Sequence, residues 1–487
     1  MQMEPVCMTR RGAVRGRMDG AGVASFLGIP YAAPPFGPRR FRAPAPPAPW
    51  QGVRDARDHG ATAPKVPYAP PFDLLIPEDS GRDGENCLNL SVWTPEPGPN
   101  GGLPVMVWLH GGAFANGSGS ASAYDGRAFA RDGVVCVTVN YRLGADGFLS
   151  LEGAPDNRGL LDQIAALEWV RENIASFGGD PDRVTVFGES AGAMSIGLLL
   201  GMEAARGLFR RAILQSGGAH HFLRPRSARL IAGRLAGLLG VAPTAEEFAA
   251  LPLATLLRSQ GELRAEIGSR PDPALWGEAA LNAMPFEPVA PGLTLPGPDC
   301  GVGLLVGSNR EENRLFMVPT GRMDTITEER LRKAAAVYGL DPDRALAVYR
   351  ADRTEASPGE LLDALATDWF YRIPALRLAE AVPGSHVYEF AWRSPQFDGR
   401  LGACHACELG FVFDNLHDPA YLPMIGGHPP QALADTVHGA WVAFAGTGDP
   451  GWPAYGPADR TTMVFADRSG PVDDPRPAER TLWDGVR

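Results

Sequence analysis

Short apolar runs alternate with amphipathic stretches along this chain. Residues 105–109 and 134–139 are continuously apolar, a pattern typical of strands buried on both faces. Between residues 160 and 174 apolar side chains recur at helical spacing, and a Gly-Gly pair then ends the pattern. The strand pattern returns at wide intervals, with helical stretches between, at residues 183–187, 212–215, 302–307, 386–392 and 462–466. This alternation predicts a doubly wound α/β fold around a mostly parallel sheet.

Neither an internal repeat nor a shift in composition divides the chain, which favours a single domain over residues 1–487. The proline-rich residues 30–73 predict extended chain along the surface and not helix. Residues 219–299 contain helical segments rich in Ala and Leu. We expect this region to form a helical cap over the C-terminal edge of the sheet.

The composition is that of a folded globular protein, with 45% hydrophobic and 21% charged side chains among 487 residues. A net charge of −11 excludes nucleic acid and anionic lipid as partners, because both require a basic surface. The N-terminal residues contain no apolar leader, and no later run approaches the roughly 18 apolar residues of a membrane span. Six cysteines are too few for a disulfide scaffold. We therefore predict a cytoplasmic protein, a monomer or small homo-oligomer, whose partner is a small molecule.

The sharpest local signal is a G-x-S-x-G motif, Gly188-Glu189-Ser190-Ala191-Gly192, placed between a predicted strand and a predicted helix. In such a turn the serine stands clear of the sheet, and the two glycines let the backbone pass without side-chain collision. The helix N-terminus adds a positive potential that favours a developing negative charge. The five residues alone also fit an ordinary turn. Their position between strand and helix favours Ser190 as a nucleophile.

A serine nucleophile needs a base and also hydrogen-bond donors for the oxyanion. Residues 110–114, His-Gly-Gly-Ala-Phe, directly follow an apolar run, where α/β-hydrolases carry their oxyanion loop. A tight glycine turn with no chemical role is the alternative. If the loop is functional, the donors are the N–H groups of Gly112, Ala113 and Ala191. His110 is then expected to position the loop and not to act as the base.

These motifs are part of a longer set that resembles the type B carboxylesterases over nearly the whole chain. The other similar stretches are residues 28–32, 34–35, 40–41, 85–90, 140–144 and 177–192. In length and in its sequence motifs the chain most resembles the bacterial para-nitrobenzyl esterases of that family. The resemblance implies an α/β-hydrolase fold with a helical cap and loop insertions over the active site. It also implies a serine carboxylesterase that needs no metal or organic cofactor.

The resemblance implies the other two members of a catalytic triad as well. The family places its acid in a V-G-x-x-x-D/E-E segment after a strand, which gives Glu312 here, with the neighbouring Glu311 as the alternative. The family's base precedes an E-L-P-F-V-F-like segment, which gives His405. The order Ser190, Glu312, His405 is the order of this fold. The carboxylate would hold the imidazole of His405 in the tautomer that accepts the serine proton.

Further residues are predicted to support the site or the structure around it. Gly111, Glu189 and Ser216 are expected to support the site, Ser216 through a hydrogen bond near the triad. A simple turn at a strand end is the alternative for Ser216. The resemblance also implies two structural ion pairs, Arg40 with Glu85 and Arg142 with Asp162.

Cys404 and Cys407 bracket His405 in a C-x-x-C, a spacing that elsewhere indicates a redox pair or half of a zinc site. No second C-x-x-C and no H-E-x-x-H accompany them. The favoured interpretation is two small buried side chains that pack near the site. A weaker hypothesis is that oxidation or alkylation of these thiols displaces His405 and lowers activity.

The predicted substrates are carboxylic esters with short to medium acyl chains, including esters of bulky or aromatic alcohols. No tryptophan lies between Trp50 and Trp93 to hold a quaternary ammonium group, so choline esters are disfavoured. The loop at residues 111–113 resembles the GGG(A)X class, which accepts esters of tertiary alcohols.

Two alternatives to the esterase function remain. One is an amidase or carbamate hydrolase with the same triad, and the other is a non-catalytic, neuroligin-like binding module, against which the presence of Ser190 argues.

Overall fold

The computed structural model describes residues 4–76, 83–293, 295–297 and 300–487, which divide into two units interleaved along the chain. The first unit holds the described residues of 4–68, 83–210 and 219–293. The second unit holds those of 69–76, 211–218, 295–297 and 300–487. The single domain expected for residues 1–487 stays a prediction.

The strands correspond to the apolar runs of the sequence, with additional strands near both ends of the chain. Within the described residues they are β1 (Val6–Thr9), β2 (Gly12–Arg15), β3 (Arg17–Met18), β4 (Ala24–Pro30), β5 (Val53–Asp55), β6 (Asn89–Thr94), β7 (Leu103–Leu109), β8 (Val135–Val139), β9 (Gly179–Glu189), β10 (Arg211–Gln215), β11 (Gly303–Asn309), β12 (His386–Phe390), β13 (Thr461–Phe465) and β14 (Gly470–Asp473).

The helices occupy the amphipathic stretches between the strands. They are α1 (Arg127–Arg131), α2 (Gly144–Phe148), α3 (Arg158–Asn173), α4 (Ala191–Leu199), α5 (Pro225–Leu239), α6 (Ala245–Ala249), α7 (Leu253–Ser269), α8 (Pro273–Trp276), α9 (Ala279–Asn282), α10 (Arg314–Met317), α11 (Glu328–Val337), α12 (Pro342–Ala351), α13 (Pro358–Thr367), α14 (Ile373–Ala381), α15 (Leu409–Val412), α16 (Leu422–Ile425), α17 (Gln431–Thr447) and α18 (Pro477–Leu482).

In the first unit the strands lie in the order β9-β7-β8-β6-β4-β3. β7 pairs in parallel with both β8 and β9, whereas β6, β4 and β3 continue the sheet in antiparallel pairing. Every side chain of β8 is buried, as its continuous apolar run predicts. The sequence did not predict β6, because Asn89, Ser91 and Thr94 interrupt its apolar pattern although all of its side chains are buried. β1, β2 and β5 form a separate small sheet.

In the second unit the strands lie in the order β10-β11-β12-β13-β14. β10 to β13 pair in parallel, and β14 is antiparallel to β13. The four parallel strands coincide with the apolar runs that begin at residues 212, 302, 386 and 462. The mostly parallel sheet flanked by helices is therefore confirmed in the strands that carry the core.

The predicted cap region contains α5 to α9, and its residues 294, 298 and 299 lie outside the described residues. The side-chain oxygen of Gln260 on α7 accepts a hydrogen bond from the N–H of Ala145 at 2.9 Å, in the helix that follows β8. The side chain of Asn157, just before α3, bonds to the N–H and carbonyl of Val289 at 2.6 and 2.8 Å. These contacts join the helical segments to the chain that follows β8, and the assignment of the region as a cap stays a prediction.

One of the two predicted ion pairs is formed. Asp162 on α3 accepts hydrogen bonds from Nη2 and Nε of Arg142 at 2.6 and 2.7 Å, and both side chains are fully buried. The prediction for Arg40 is wrong, because Nε of Arg40 binds Asp146 at 2.7 Å and Glu85 is exposed. Asp146 on α2 is buried beside the guanidinium, so its negative charge offsets the desolvation of Arg40.

Membrane insertion finds no support in the helices. None of the helices in the described part of the chain is both long and apolar enough for a membrane span.

The buried Arg142–Asp162 pair gives a prediction for stability. Asp162→Asn leaves the guanidinium buried without its counter-charge, so we expect the free energy of unfolding to fall by about 3–5 kcal/mol in urea titrations. Glu203→Gln is the control, because the Arg206–Glu203 pair is largely exposed and should contribute less than about 1 kcal/mol. Equal losses in the two variants would contradict the prediction.

Candidate active site

The G-x-S-x-G motif forms a strained turn between β9 and α4. β9 ends at Glu189, α4 begins at Ala191, and Ser190 between them adopts φ 53° and ψ −123°. A non-glycine residue with positive φ costs energy and persists only where its surroundings enforce it. Ser190 is the cap of α4, whose first backbone N–H groups have no acceptor within the helix. The turn therefore holds a serine next to a set of unused donors.

Glycines flank Ser190 because β7 passes directly behind the turn. A Cβ atom on Gly192 would lie 1.9 Å from the carbonyl oxygen of Leu109, and one on Gly188 would lie 2.7 Å from the same atom. Both clashes are with backbone, which cannot swing aside as a side chain does. Close approach of β7 to the turn thus requires glycine at both positions.

The predicted oxyanion loop also adopts left-handed backbone conformations. φ is 115° at Gly112, 54° at Ala113 and 59° at Phe114. The carbonyl of Gly112 accepts hydrogen bonds from the N–H groups of Ala115 and Asn116 at 3.0 and 2.8 Å. The loop is therefore folded back on itself, and its conformation is fixed by main-chain bonds.

The loop lies against the serine turn within the first unit. A Cβ on Gly111 would lie 2.5 Å from Oε2 of Glu189 and 3.1 Å from Cβ of Ser190. The ring of His110 stacks on Tyr141 with centroids 4.4 Å apart, and the Tyr141 hydroxyl donates to the His110 carbonyl at 2.6 Å. His110 is buried in this stack, which agrees with a positioning role.

In the second unit Glu312 and His405 form a buried pair. Nδ1 of His405 lies 2.6 Å from Oε2 of Glu312. A carboxylate only accepts hydrogen bonds, so this contact places the ring proton on Nδ1 and leaves Nε2 free of a proton on the neutral ring. Oε1 of Glu312 accepts from the N–H of Asn309 at 2.7 Å, and the N–H of His405 donates to the Glu312 carbonyl at 3.1 Å. The pair has the geometry of a histidine oriented by an acid.

Glu311, the alternative to Glu312, has different partners. Its carboxylate accepts from the N–H of Ala403 at 2.9 Å, forms an ion pair with Arg314 at 2.9 Å and binds Arg393. The N–H of Glu311 in turn donates to the Ala403 carbonyl at 3.0 Å. Glu311 therefore fastens the chain just before His405, whereas Glu312 contacts the imidazole itself.

A buried polar network that the sequence did not predict lies beneath the His405 segment. Nδ2 of Asn309 donates to the Cys404 carbonyl and to Oε2 of Glu408, both at 2.7 Å. Oε1 of Glu408 accepts from Gln215 at 3.0 Å, and Oε1 of Gln215 accepts from the indole of Trp441 at 3.0 Å. Sequence reasoning missed these residues because they lie far apart in the chain and share no motif.

Ser216 and the two cysteines lie in the same unit as His405. Ser216 is fully buried with φ 53°, its N–H donates to the Gly307 carbonyl at 2.9 Å, and its hydroxyl has no hydrogen-bond partner among the described residues. The supporting role of Ser216 stays a prediction.

Cys404 and Cys407 are fully buried, free thiols. Burial, together with contact between the two thiols, raises the pKa of Cys404 well above its usual value, which makes the thiol unreactive.

The described residues contain no group of three or more His, Cys, Asp or Glu side chains that could hold a metal ion.

Comparison with known proteins places these residues in a family. The sequence model of the carboxylesterase family matches residues 3–470. The chain is 38% identical to para-nitrobenzyl esterase of Bacillus subtilis (strain 168), over 98% of this chain and 97% of the relative. It is 34% identical to phenmedipham hydrolase of Pseudarthrobacter oxydans, over 97% of each. A solved structure of a PNB esterase covers 99% of both chains with a TM-score of 0.84 at 36% identity. This likeness confirms the predicted α/β-hydrolase fold.

The close approach behind the serine turn gives a second prediction. Gly192→Ala places a Cβ against the Leu109 carbonyl, so we expect the free energy of unfolding to fall by about 3 kcal/mol or more, or soluble protein to be lost. Gly233→Ala on α5 is the matched control, because a Cβ there meets nothing within 4 Å.

Removing this exposed helical glycine should stabilise the protein by about 0.4–1 kcal/mol. Thermal unfolding of the two variants beside the wild type makes the comparison. Similar melting temperatures for the two variants would contradict the prediction, because they would mean that the turn accommodates a Cβ atom at residue 192.

Proposed function

Because the chain belongs to the carboxylesterase family and is a carboxylic ester hydrolase, we propose that Ser190 is its nucleophile. Glu312 and His405 complete the proposed triad. The observation that carries the proposal is the buried Nδ1–Oε2 contact of 2.6 Å between His405 and Glu312. It leaves Nε2 of the neutral imidazole as a proton acceptor. The strained conformation of Ser190 beside Gly111 supports the assignment of the nucleophile.

In the proposed first half-reaction, Oγ of Ser190 attacks the ester carbonyl while Nε2 of His405 takes the hydroxyl proton. The tetrahedral oxyanion is held by the N–H groups of Gly112, Ala113 and Ala191. Collapse of this intermediate breaks the bond to the alcohol, and His405 returns its proton to the departing alkoxide. Ser190 is then acylated and the alcohol is released.

In the second half-reaction a water molecule replaces the alcohol. His405 takes a proton from the water, the hydroxide attacks the acyl carbonyl, and the same donors hold the second oxyanion. Collapse releases the carboxylic acid and returns the proton to Ser190. Glu312 orients the imidazole throughout and stabilises its positive form. No step of this cycle requires a metal or an organic cofactor.

The proposed substrates are small-molecule esters with short to medium acyl chains, including esters of bulky or aromatic alcohols. The name of the para-nitrobenzyl esterase relative supports an aromatic alcohol. The absence of a tryptophan between Trp50 and Trp93 argues against choline esters. We also propose that the protein works in the cytoplasm, as a monomer or small homo-oligomer, which the sparse cysteines and the net charge of −11 support.

The triad is tested by three variants assayed on 4-nitrophenyl butyrate. Ser190→Ala should lower kcat by more than about 10⁴-fold, and Glu312→Gln by up to about 10⁴-fold because the histidine loses its oriented tautomer. Glu311→Gln is the matched control, the same change one residue away. It should lower the melting temperature and change kcat little. The reason is that Glu311 bonds to Ala403 and to arginines but not to the imidazole. An equal loss of kcat in both Gln variants would remove Glu312 from the proposed role.

The alternative of an amidase with the same triad is tested by the leaving group. 4-Nitrophenyl butyrate and the 4-nitroanilide of butyric acid share one acyl chain, so their comparison isolates the bond that breaks. We expect kcat/KM for the ester to exceed that for the anilide by at least about 100-fold, equal to about 2.7 kcal/mol in activation free energy. Comparable values would favour the amidase.

A further inference from the structure

Arg264 on α7 donates to a neutral amide, whereas several other enclosed arginines bind carboxylates and the fully buried Arg158 donates to four main-chain carbonyls. Arg40, Arg142, Arg314 and Arg372 each bind a carboxylate directly. Arg264 is half-buried, and its guanidinium donates from Nη1 to the neutral side-chain oxygen of Asn116 at 3.0 Å. Among the described residues no Asp or Glu forms an ion pair with it. Enclosing a permanent positive charge without a counter-charge is costly, so such a group calls for a functional explanation.

Asn116 connects Arg264 to the oxyanion loop. Its side chain is almost fully buried, and Nδ2 donates to the Val66 carbonyl at 2.5 Å, which fixes the amide with its oxygen toward Arg264. The N–H of Asn116 donates to the Gly112 carbonyl at 2.8 Å. One residue thus joins the guanidinium by its side chain and the predicted oxyanion donors by its main chain.

Tyr68 gives an independent connection to the serine turn. Burial raises the pKa of its hydroxyl, and two charged groups also act on it, Arg264 lowering the pKa and Glu189 raising it. Glu189 directly precedes Ser190 and lies against Gly111. Within the first unit Arg264 is thus linked to the oxyanion loop through Asn116, and it acts on the same tyrosine as Glu189, the residue before the proposed nucleophile.

Arg264 and Tyr68 are each enclosed over only part of their surface. Nevertheless, desolvation is the largest influence on each, lowering the pKa of Arg264 and raising that of Tyr68. Both side chains are therefore partly enclosed by protein and partly open to solvent.

From this placement we infer that Arg264 binds a carboxylate carried by the substrate, so that the preferred esters bear a free acid group several bonds from the ester. A guanidinium has five donors in a planar fork that matches a carboxylate, and Asn116 occupies one of them. This inference rests on the proposed function, and it names the substrate class of that same site.

The test compares acid and amide pairs that differ only in charge. On the acyl side the probes are the mono-4-nitrophenyl ester of glutaric acid and the corresponding ester of its monoamide. On the alcohol side they are 3-carboxyphenyl butyrate and 3-carbamoylphenyl butyrate. The quantity measured is the ratio of kcat/KM for the acid to kcat/KM for the amide, in wild type, Arg264→Gln, Arg264→Lys and Arg258→Gln. Arg258 is the matched control, an exposed arginine on the same helix.

We expect the wild-type ratio to exceed one for at least one pair and to fall with added salt, because screening weakens a partly exposed ion pair. Arg264→Gln should lower that ratio by about 10–100-fold, mainly through KM. Arg264→Lys should restore part of it, since the charge remains without the planar fork. Arg258→Gln should keep the wild-type ratio.

Two results would overturn the inference. One is a wild-type ratio of one or less for both pairs. The other is an equal loss on acid and amide in Arg264→Gln, which would mean that Arg264 only supports Asn116 and the loop. In both cases hydrolysis of 4-nitrophenyl butyrate that depends on Ser190 would leave the proposed function intact. Failure of that hydrolysis would reject the proposed function instead.

Discussion

The contact between the end of β7 and the turn after β9 constrains the first unit more than any other. The Leu109 carbonyl lies where a Cβ of Gly192 or Gly188 would have to be. Because the two parallel strands pair in register up to this point, the chain leaving β7 passes directly beside the chain leaving β9. That proximity puts Gly111 next to Ser190 and against the carboxylate of Glu189. The position of the serine is thus a property of backbone packing.

Part of the backbone strain in the structure lies where chemistry is proposed. Ala113, Phe114, Ser190 and Ser216 are non-glycine residues with φ between 53° and 59°. Each conformation costs on the order of 1–3 kcal/mol and persists because neighbouring hydrogen bonds and strands enforce it. The carbonyl of Gly112, for example, is held by two N–H groups of its own loop. The strain keeps N–H groups of the loop out of regular secondary structure, so they remain as donors.

Buried charges and amides fix the second group of functional residues. Asn309 bonds to Glu408 and to the Cys404 carbonyl, and its own N–H holds Glu312. The imidazole of His405 is oriented because the segment on either side of it is tied to these residues. Here and at Arg142 each buried charge has a hydrogen-bonded partner of opposite sign or a set of amide donors. Arg264 instead donates to the neutral side chain of Asn116, whose main chain bonds to the oxyanion loop.

The sequence by itself determined the strand–turn–helix around Ser190, the glycine loop after β7 and the parallel strands of the core. These features depend on local periodicity and on glycines at fixed offsets, so a few consecutive residues contain the signal. The identities of Glu312 and His405 came from resemblance of their segments to a family.

Tertiary structure alone decided which of two adjacent glutamates contacts the imidazole, because neighbouring residues of equal charge differ only in where their side chains point. It also decided that Arg40 pairs with Asp146 and not Glu85. Contacts such as Arg264 with Asn116, 148 residues apart, leave no trace in the local pattern. Hydrogen-bond partners are chosen by proximity in the folded chain, and the order of residues does not encode that proximity locally.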